Sequence, residues 1–224
     1  MQRTRIKICG ITRVDDAKAA VAAGADAVGM IFHPPSARNI SLERAKEIIR
    51  QVGPFVTPVA VFVDALASRV MEVAGELGLH TVQLHGQETI ERISQLRKQK
   101  LKVIKALKVD ATLEQQIEKW RGSMSLVGDM VIGLVLETGG TAQAGGSGVP
   151  NDWERLIKMQ EKGAFAGLPP IIAAGGLDAM NVADVVRRLR PWAVDVSSGV
   201  ESGLGHKSAP MIEAFVGAVR GAGF

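Results

Sequence analysis

The chain has 224 residues, of which 46% are hydrophobic, 22% charged and 4% aromatic, with 25 glycines and 9 prolines. These proportions exclude a disordered, collagen-like or disulfide-rich protein and leave an ordinary globular one, long enough to bury a sizeable core. Cys9 is the only cysteine, so neither an intramolecular disulfide nor a cysteine-based zinc site can form; the net charge of +4 is scattered, unlike the clustered footprint of a nucleic-acid binder.

The opening Met1-Gln2-Arg3-Thr4-Arg5 lacks the apolar run of a secretory signal, and no run of eighteen apolar residues follows. A cytoplasmic protein is expected, with neither nucleic acid nor membrane as partner. Short β-branched runs then alternate with amphipathic stretches along the whole chain. Strands are predicted over 5–9, 27–32, 58–63, 81–85, 102–106, 130–137, 170–174 and 193–197. Helices are predicted over 15–23, 42–51, 66–77, 89–99, 112–120, 153–162, 179–189 and 209–219. Strands alternating with helices imply parallel pairing and right-handed crossovers. Eight such units without a linker or composition break predict one α/β domain over 1–224, a single (β/α)8 TIM barrel with eight parallel strands. The rival, a doubly wound open sheet, lacks its G-x-G-x-x-G fingerprint after the first strand, where Cys9-Gly10-Ile11-Thr12 stands. The glycine-rich stretch 139–148 reads as a long, functional or mobile loop after the sixth strand.

Side chains alternate along a strand, so each strand divides into two faces. Ile6 and Ile8 oppose Lys7 and Cys9; Val82 and Leu84 oppose Gln83 and His85; Val194 and Val196 oppose Asp195 and Ser197. In the sixth strand Ile132, Leu134 and Leu136 share a face, opposite Glu137. The apolar faces belong against the helices, so the polar ones are expected inside the barrel at the C-terminal strand ends, where barrel enzymes build their sites. Lys105 is expected among them. Alone, a buried Cys is a small hydrophobe and an inward Lys or Asp a structural ion pair. Several strands ending in inward polar groups point instead to a ligand, because burying such atoms without partners is costly.

Three glycine-rich turns follow late strands: Gly145-Gly146-Ser147-Gly148, Gly175-Gly176 and Ser197-Ser198-Gly199-Val200. Their backbone N–H groups can approach an anion closely, and barrels often hold phosphate after strands seven and eight. Any one of them could equally be a plain tight turn. Arg38, in the loop after the second strand, offers a fork for a carboxylate, or is a solvated surface residue.

The segments Ile6–Thr12, Gly29–Phe32 with Ser36-Ala37-Arg38, Val61-Phe62-Val63, Val82–Glu88, Gly145–Gly148 with Asp152-Trp153, Ala174–Leu177 with Asn181-Val182, and Asp195–Glu201 together resemble the phosphoribosylanthranilate isomerase family. The match runs in family order from end to end. It implies an Amadori rearrangement of N-(5-phosphoribosyl)anthranilate in tryptophan biosynthesis, without cofactor or metal, by a monomer or homodimer acting on this small molecule. By the same resemblance Cys9 is the general base that removes a sugar proton and a carboxyl at the end of strand six is the general acid. Arg38 holds the anthranilate carboxylate, Asp195 is a positioning carboxylate in the mouth, and Lys7, Gln83 and His85 contribute to substrate binding. The phosphate falls to Gly146, Gly148, Gly175, Gly176, Ser197, Ser198 and Gly199. Lys7 is expected to raise the thiolate fraction of Cys9, and the acid needs a carboxyl whose pKa is raised by burial or by the anionic substrate.

Two departures stand out. The family has Leu-Leu-Asp where this chain has Val135-Leu136-Glu137, which carries the acid about 1.5 Å further. A misplacement of roughly 1 Å can cost about a hundredfold in rate, and the extra residues 141–144 could shift the acid too. The alternatives are therefore a catalytically impaired relative that still binds the ligand, or another phosphosugar isomerase or epimerase barrel. Against the related histidine-pathway isomerase stands Cys9, where that family uses aspartate. The second departure is Gly205-His206-Lys207-Ser208, where the family usually ends on an acidic residue; a minor effect on the start of the last helix is expected.

Overall fold

The computed structural model describes residues 3–138 and 151–222. Eight parallel strands close on themselves in the order β1-β2-β3-β4-β5-β6-β7-β8: Arg5–Ile8, Ala27–Ile31, Thr57–Phe62, Thr81–Leu84, Lys102–Val109, Val131–Thr138, Ile171–Ala173 and Ala193–Val196. Each is followed by a helix: α1 Val14–Ala23, α2 Leu42–Val52, α3 Ala67–Leu77, α4 Ile90–Gln95, α5 Leu113–Val127, α6 Trp153–Glu161, α7 Val182–Leu189 and α8 Ala209–Gly221. The expected barrel is present, and closure removes every sheet edge. Several helix starts follow local chemistry: Ser41, Thr89 and Asp152 each accept a hydrogen bond from the backbone N–H three residues on.

Three local differences from the sequence reading have physical causes. Helix α5 runs to Val127, well past the predicted 120, because Met124 and Val127 continue the apolar stripe that Leu113, Ile117 and Trp120 begin. The fourth helix finishes as a 3-10 turn over Leu96–Gln99. Between β8 and α8 lie a 3-10 turn, Ser198–Val200, and a two-stranded hairpin, β9 Glu201–Gly203 and β10 His206–Lys207, which the alternation pattern did not contain. Helix α8 begins at Ala209 although Ser208 makes no side-chain cap.

Two apolar layers result. Ile6, Ile8, Val82, Leu84, Leu134, Leu136, Val194 and Val196 join the helices in one large core, while Val59, Ile104, Ala106, Val135, Ile172, Ala174 and Ala193 fill the barrel interior. Ile132 is an exception to its expected face. Val103 and Ile104 pair with Val131 and Gly133, so Ile132 is an extra, bulged residue that is left 40% exposed. Val131 takes the outer core position instead.

Candidate active site

The mouth is assembled where β1 meets β8. The register pairs Lys7 with Asp195, and both point inward, so their side chains meet below the rim: Lys7 Nζ donates to Asp195 Oδ2 at 2.7 Å, with both groups buried. One residue pair higher, Cys9 lies against Ile31 and Val61. Gly29 on β2 makes this possible, since a Cβ there would stand 2.7 Å from Cys9 Sγ and 3.1 Å from Lys7 Nζ. Burial works against the Lys7 charge, but Asp195 and Cys9 outweigh it and hold Lys7 above the ordinary lysine range. The same burial pushes the Cys9 thiol up; Lys7 pulls it down, Asp195 adds to the rise, and the net direction is upward. Lys7 does favour the Cys9 thiolate, as expected, but desolvation by burial outweighs that pull and Asp195 adds to the rise, so the thiol stays above its ordinary range. Burial also raises Asp195, against the pull of Lys7, and its Oδ1 has no hydrogen-bond partner.

Across the cavity, β4 and β6 bring a second group together. Gln83 Nε2 lies 2.9 Å from His85 Nδ1, and the other ring nitrogen, Nε2, meets Glu137 Oε2. A ring whose Nδ1 accepts from Gln83 carries its proton on Nε2, facing the carboxylate. Gln83 is fully buried and its Oε1 lacks a partner. Cys9, Gln83, His85, Glu137 and Asp195 line one cavity, whose far wall is Gly175 and Gly176 after β7 with Ser197, Ser198 and Gly199 after β8. Gly175 and Gly176 both have positive φ, +92° and +64°, and a Cβ on Gly175 would meet Thr138 Oγ1 at 2.6 Å. Gly146 and Gly148 lie outside the described residues, as do 141–144 and the whole of the expected loop 139–148.

Lys105 is the clear correction. Ile104 and Ala106 face the interior, so Lys105 points outward between β5 and the helices, where its Nζ donates to Leu84 O, Gly86 O and Ala106 O and pairs with Glu88 Oε2 at 2.9 Å. Glu88 in turn accepts from the backbone N–H groups of Asp64 and Gly86. Arg38 sits at the rim beside the cavity. Its Nε and Nη2 donate to Glu201 Oε1 and Oε2 at 2.8 and 2.7 Å, and Lys207 Nζ also donates to Glu201 Oε1 at 2.7 Å. Glu201 is held below the ordinary carboxylate range: burial opposes its charge, but Arg38 and Lys207 overcome it.

Glu88, Glu201, Lys207 and Asn151 were not singled out as site residues from the sequence. Asn151 Nδ2 donates to Leu136 O and Ala174 O, tying β6, next to Glu137 in the chain, to the residue after β7. No period could reveal these, because the partners are distant in the chain: 163 positions separate Arg38 from Glu201. A second hollow opens at the N-terminal end, around Arg3, Arg5, Phe165, Pro170 and Trp192, and among the described residues no thiol, carboxylate or imidazole lines it. Among the described residues no cluster of three His, Cys, Asp or Glu is placed to hold a metal ion, and no helix is long and apolar enough to cross a membrane.

A thiol and a carboxylic acid facing one cavity at the C-terminal end of a closed parallel barrel define a (β/α)8-barrel enzyme of the acid/base isomerase kind. The family model described as N-(5'phosphoribosyl)anthranilate (PRA) isomerase matches residues 6–218, and the chain belongs to that family. It is 42% identical over 224 residues to the N-(5'-phosphoribosyl)anthranilate isomerase of Pseudomonas paraeruginosa, covering 100% of this chain and 98% of that one. Among solved structures it resembles phosphoribosyl anthranilate isomerase from Thermotoga maritima, with TM-score 0.82, 34% identity and 97% and 99% of the two chains covered. It also resembles a phosphoribosyl anthranilate isomerase crystallised with reduced 1-(o-carboxyphenylamino)-1-deoxyribulose 5-phosphate, with TM-score 0.80, 34% identity and the same coverage.

Proposed function

We propose that this chain, as a single cytoplasmic barrel domain, converts N-(5'-phosphoribosyl)anthranilate to 1-(2-carboxyphenylamino)-1-deoxyribulose 5-phosphate, with Cys9 as general base and Glu137 as general acid. The observation that carries the reading is that these two side chains, one just past the end of β1 and one in β6, line one cavity together with the glycine turns after β7 and β8. In the first step the Glu137 carboxyl gives its proton to the ribose ring oxygen while the C1–O bond breaks and the nitrogen lone pair forms C1=N. In the second, the Cys9 thiolate takes the proton from C2, whose electrons form C1=C2 and neutralise the nitrogen. The resulting enolamine tautomerises by gaining a proton at C1 and losing the one on the C2 oxygen.

The neighbours have distinct tasks in this reading. The Lys7–Asp195 pair orients the thiol and meets the sugar hydroxyls, for which the open Oδ1 of Asp195 is an acceptor. Gln83 and His85 hold the Glu137 carboxyl and contact the substrate around C1. Their grip supports an acid one methylene longer than the family's aspartate. The phosphate goes to the backbone N–H groups of Gly146, Gly148, Gly175, Gly176, Ser197, Ser198 and Gly199, and the anthranilate carboxylate to Arg38. Because turnover needs a protonated Glu137 and a Cys9 thiolate together, kcat/KM of the free enzyme has a bell-shaped pH profile, and burial of the thiol places the Cys9 limb above the ordinary thiol range.

Loss of the fluorescence of the anthranilate adduct tests the proposal. Wild type should turn the substrate over, and Cys9→Ala or Glu137→Gln should each lower kcat by about 10²–10⁴, the usual worth of a positioned acid or base. Both variants should still bind the reduced product analogue. Absence of turnover by wild type, or full turnover by Cys9→Ala, overturns the assignment.

A further inference from the structure

The hairpin β9–β10 carries charges that neither the acid nor the base requires. Lys207 is buried, and its ammonium makes three contacts: Ser197 O at 2.9 Å, Ser197 Oγ at 3.3 Å and Glu201 Oε1 at 2.7 Å. Glu201 then closes both oxygens on Arg38. An unbroken chain of contacts thus runs from the turn after β8, through Lys207 and Glu201, to the guanidinium beside the mouth. The backbone is shaped around it. A Cβ on Gly10 would stand 2.6 Å from Arg38 Cδ and 3.0 Å from Ser197 Oγ. Gly205, with φ +77°, turns the hairpin so that its carbonyl accepts from Thr12 Oγ1, and the backbone N–H of Lys207 donates to Asp16 Oδ2. Among the described residues Arg38 Nη1 has no hydrogen bond, so one edge of the fork is left for a ligand while the other is fixed. Two cations and one carboxylate leave the group with one net positive charge, which matches a single ligand carboxylate.

We propose that Glu201 and Lys207 are positioning residues that fasten Arg38 to the phosphate turn at Ser197, so that the carboxylate and the phosphate of one ligand are read by a single rigid unit. The inference rests on the reading of Arg38 and of that turn given under Proposed function. A guanidinium held by two charge-assisted bonds loses little freedom when a ligand arrives. Without Glu201 it would be mobile and its stem would have no fixed direction. Without Lys207, Glu201 would lose its tie to the turn at Ser197, and with it the fixed position it gives Arg38.

Calorimetric titration with three probes separates these tasks: the reduced product analogue, the same molecule lacking the ring carboxyl, and inorganic phosphate. Wild type should prefer the carboxyl-bearing analogue by about tenfold to a hundredfold, the worth of a charged hydrogen-bond pair. Glu201→Gln should reduce that preference to about threefold or less, while phosphate affinity stays within about threefold of wild type. Lys207→Met, or Lys207→Gln if the former does not fold, should weaken phosphate as well as the preference. Variants that keep the full preference overturn the proposal. So does an equal loss on all three probes together with a lower unfolding midpoint, which marks a purely structural role. Failure of wild type itself to prefer the carboxyl analogue instead sinks the reading of Arg38, a result distinct from failure of the link.

Discussion

Two buried lysines of this barrel, Lys7 and Lys105, each face a buried carboxylate, yet they sit on opposite sides of the sheet and are satisfied differently. Lys105, on the helix side, has three carbonyls and Glu88 around its ammonium, and Glu88 is filled by backbone N–H groups. Every polar valence there has a partner, and although burial opposes the Glu88 charge, Lys105 and those amides hold its pKa below the ordinary range. Lys7, inside the mouth, bonds one oxygen of Asp195 on the same face as Cys9, while Asp195 Oδ1 stays without a partner and its pKa is raised. A saturated pair is architecture that laces the loops after β3 and β4 together. An unsaturated pair is a stability cost retained where a ligand will complete it. Burial alone does not separate the two; open valences do.

The largest effect that would break this contrast concerns Cys9. Cys9→Ala should lose about 10²–10⁴ in kcat but less than about 1.5 kcal/mol of stability by urea unfolding, as a small group leaving an apolar corner. A collapse of stability would make the mouth architectural too. Lys105→Met should do the reverse, costing about 3–5 kcal/mol by leaving Glu88 charged and buried. The double variant with Glu88→Leu should regain part of that loss, and unaltered stability of the single variant would refute the saturated reading.

Lys7→Met sharpens the comparison through pH. Asp195 is already pushed up by burial, and without its cation it rises further and takes a proton in the folded state. A folded pKa above the unfolded one means that the native state binds the proton more tightly. The variant's stability should therefore be greatest at acid pH and decline as pH rises through that folded value. A stability that instead increases across this window would show that Asp195 stays charged. The smallest effect is the exposed control: Arg97→Ala, which removes the surface pair with Asp129, should change stability by less than about 1 kcal/mol.

The sequence pattern carried far at the mouth and failed at identifiable points. Cys9, Gln83, His85, Glu137 and Asp195 were legible because strand alternation puts alternate residues on one face and their outward neighbours are unmistakably apolar. Lys105 was misassigned because its own neighbours, Ile104 and Ala106, are apolar too, so nothing local says which face is inside. Ile132 was misassigned because one bulge shifts the parity of the strand's beginning. Glu201 and Lys207 were passed over because their chemistry exists only through Arg38 and Ser197, contacts that no short window contains.

By itself the sequence determined the alternation of strands and helices, the eightfold count and the polar residues at the strand ends, all of which follow from periods two and 3.6 and from turn chemistry. The tertiary structure alone decided the strand registers that set Lys7 beside Asp195, the side of the sheet on which each lysine lies, and the closing of Arg38 on Glu201. Those depend on pairing between distant segments, and a local pattern restricts the partners a side chain could have without choosing among them.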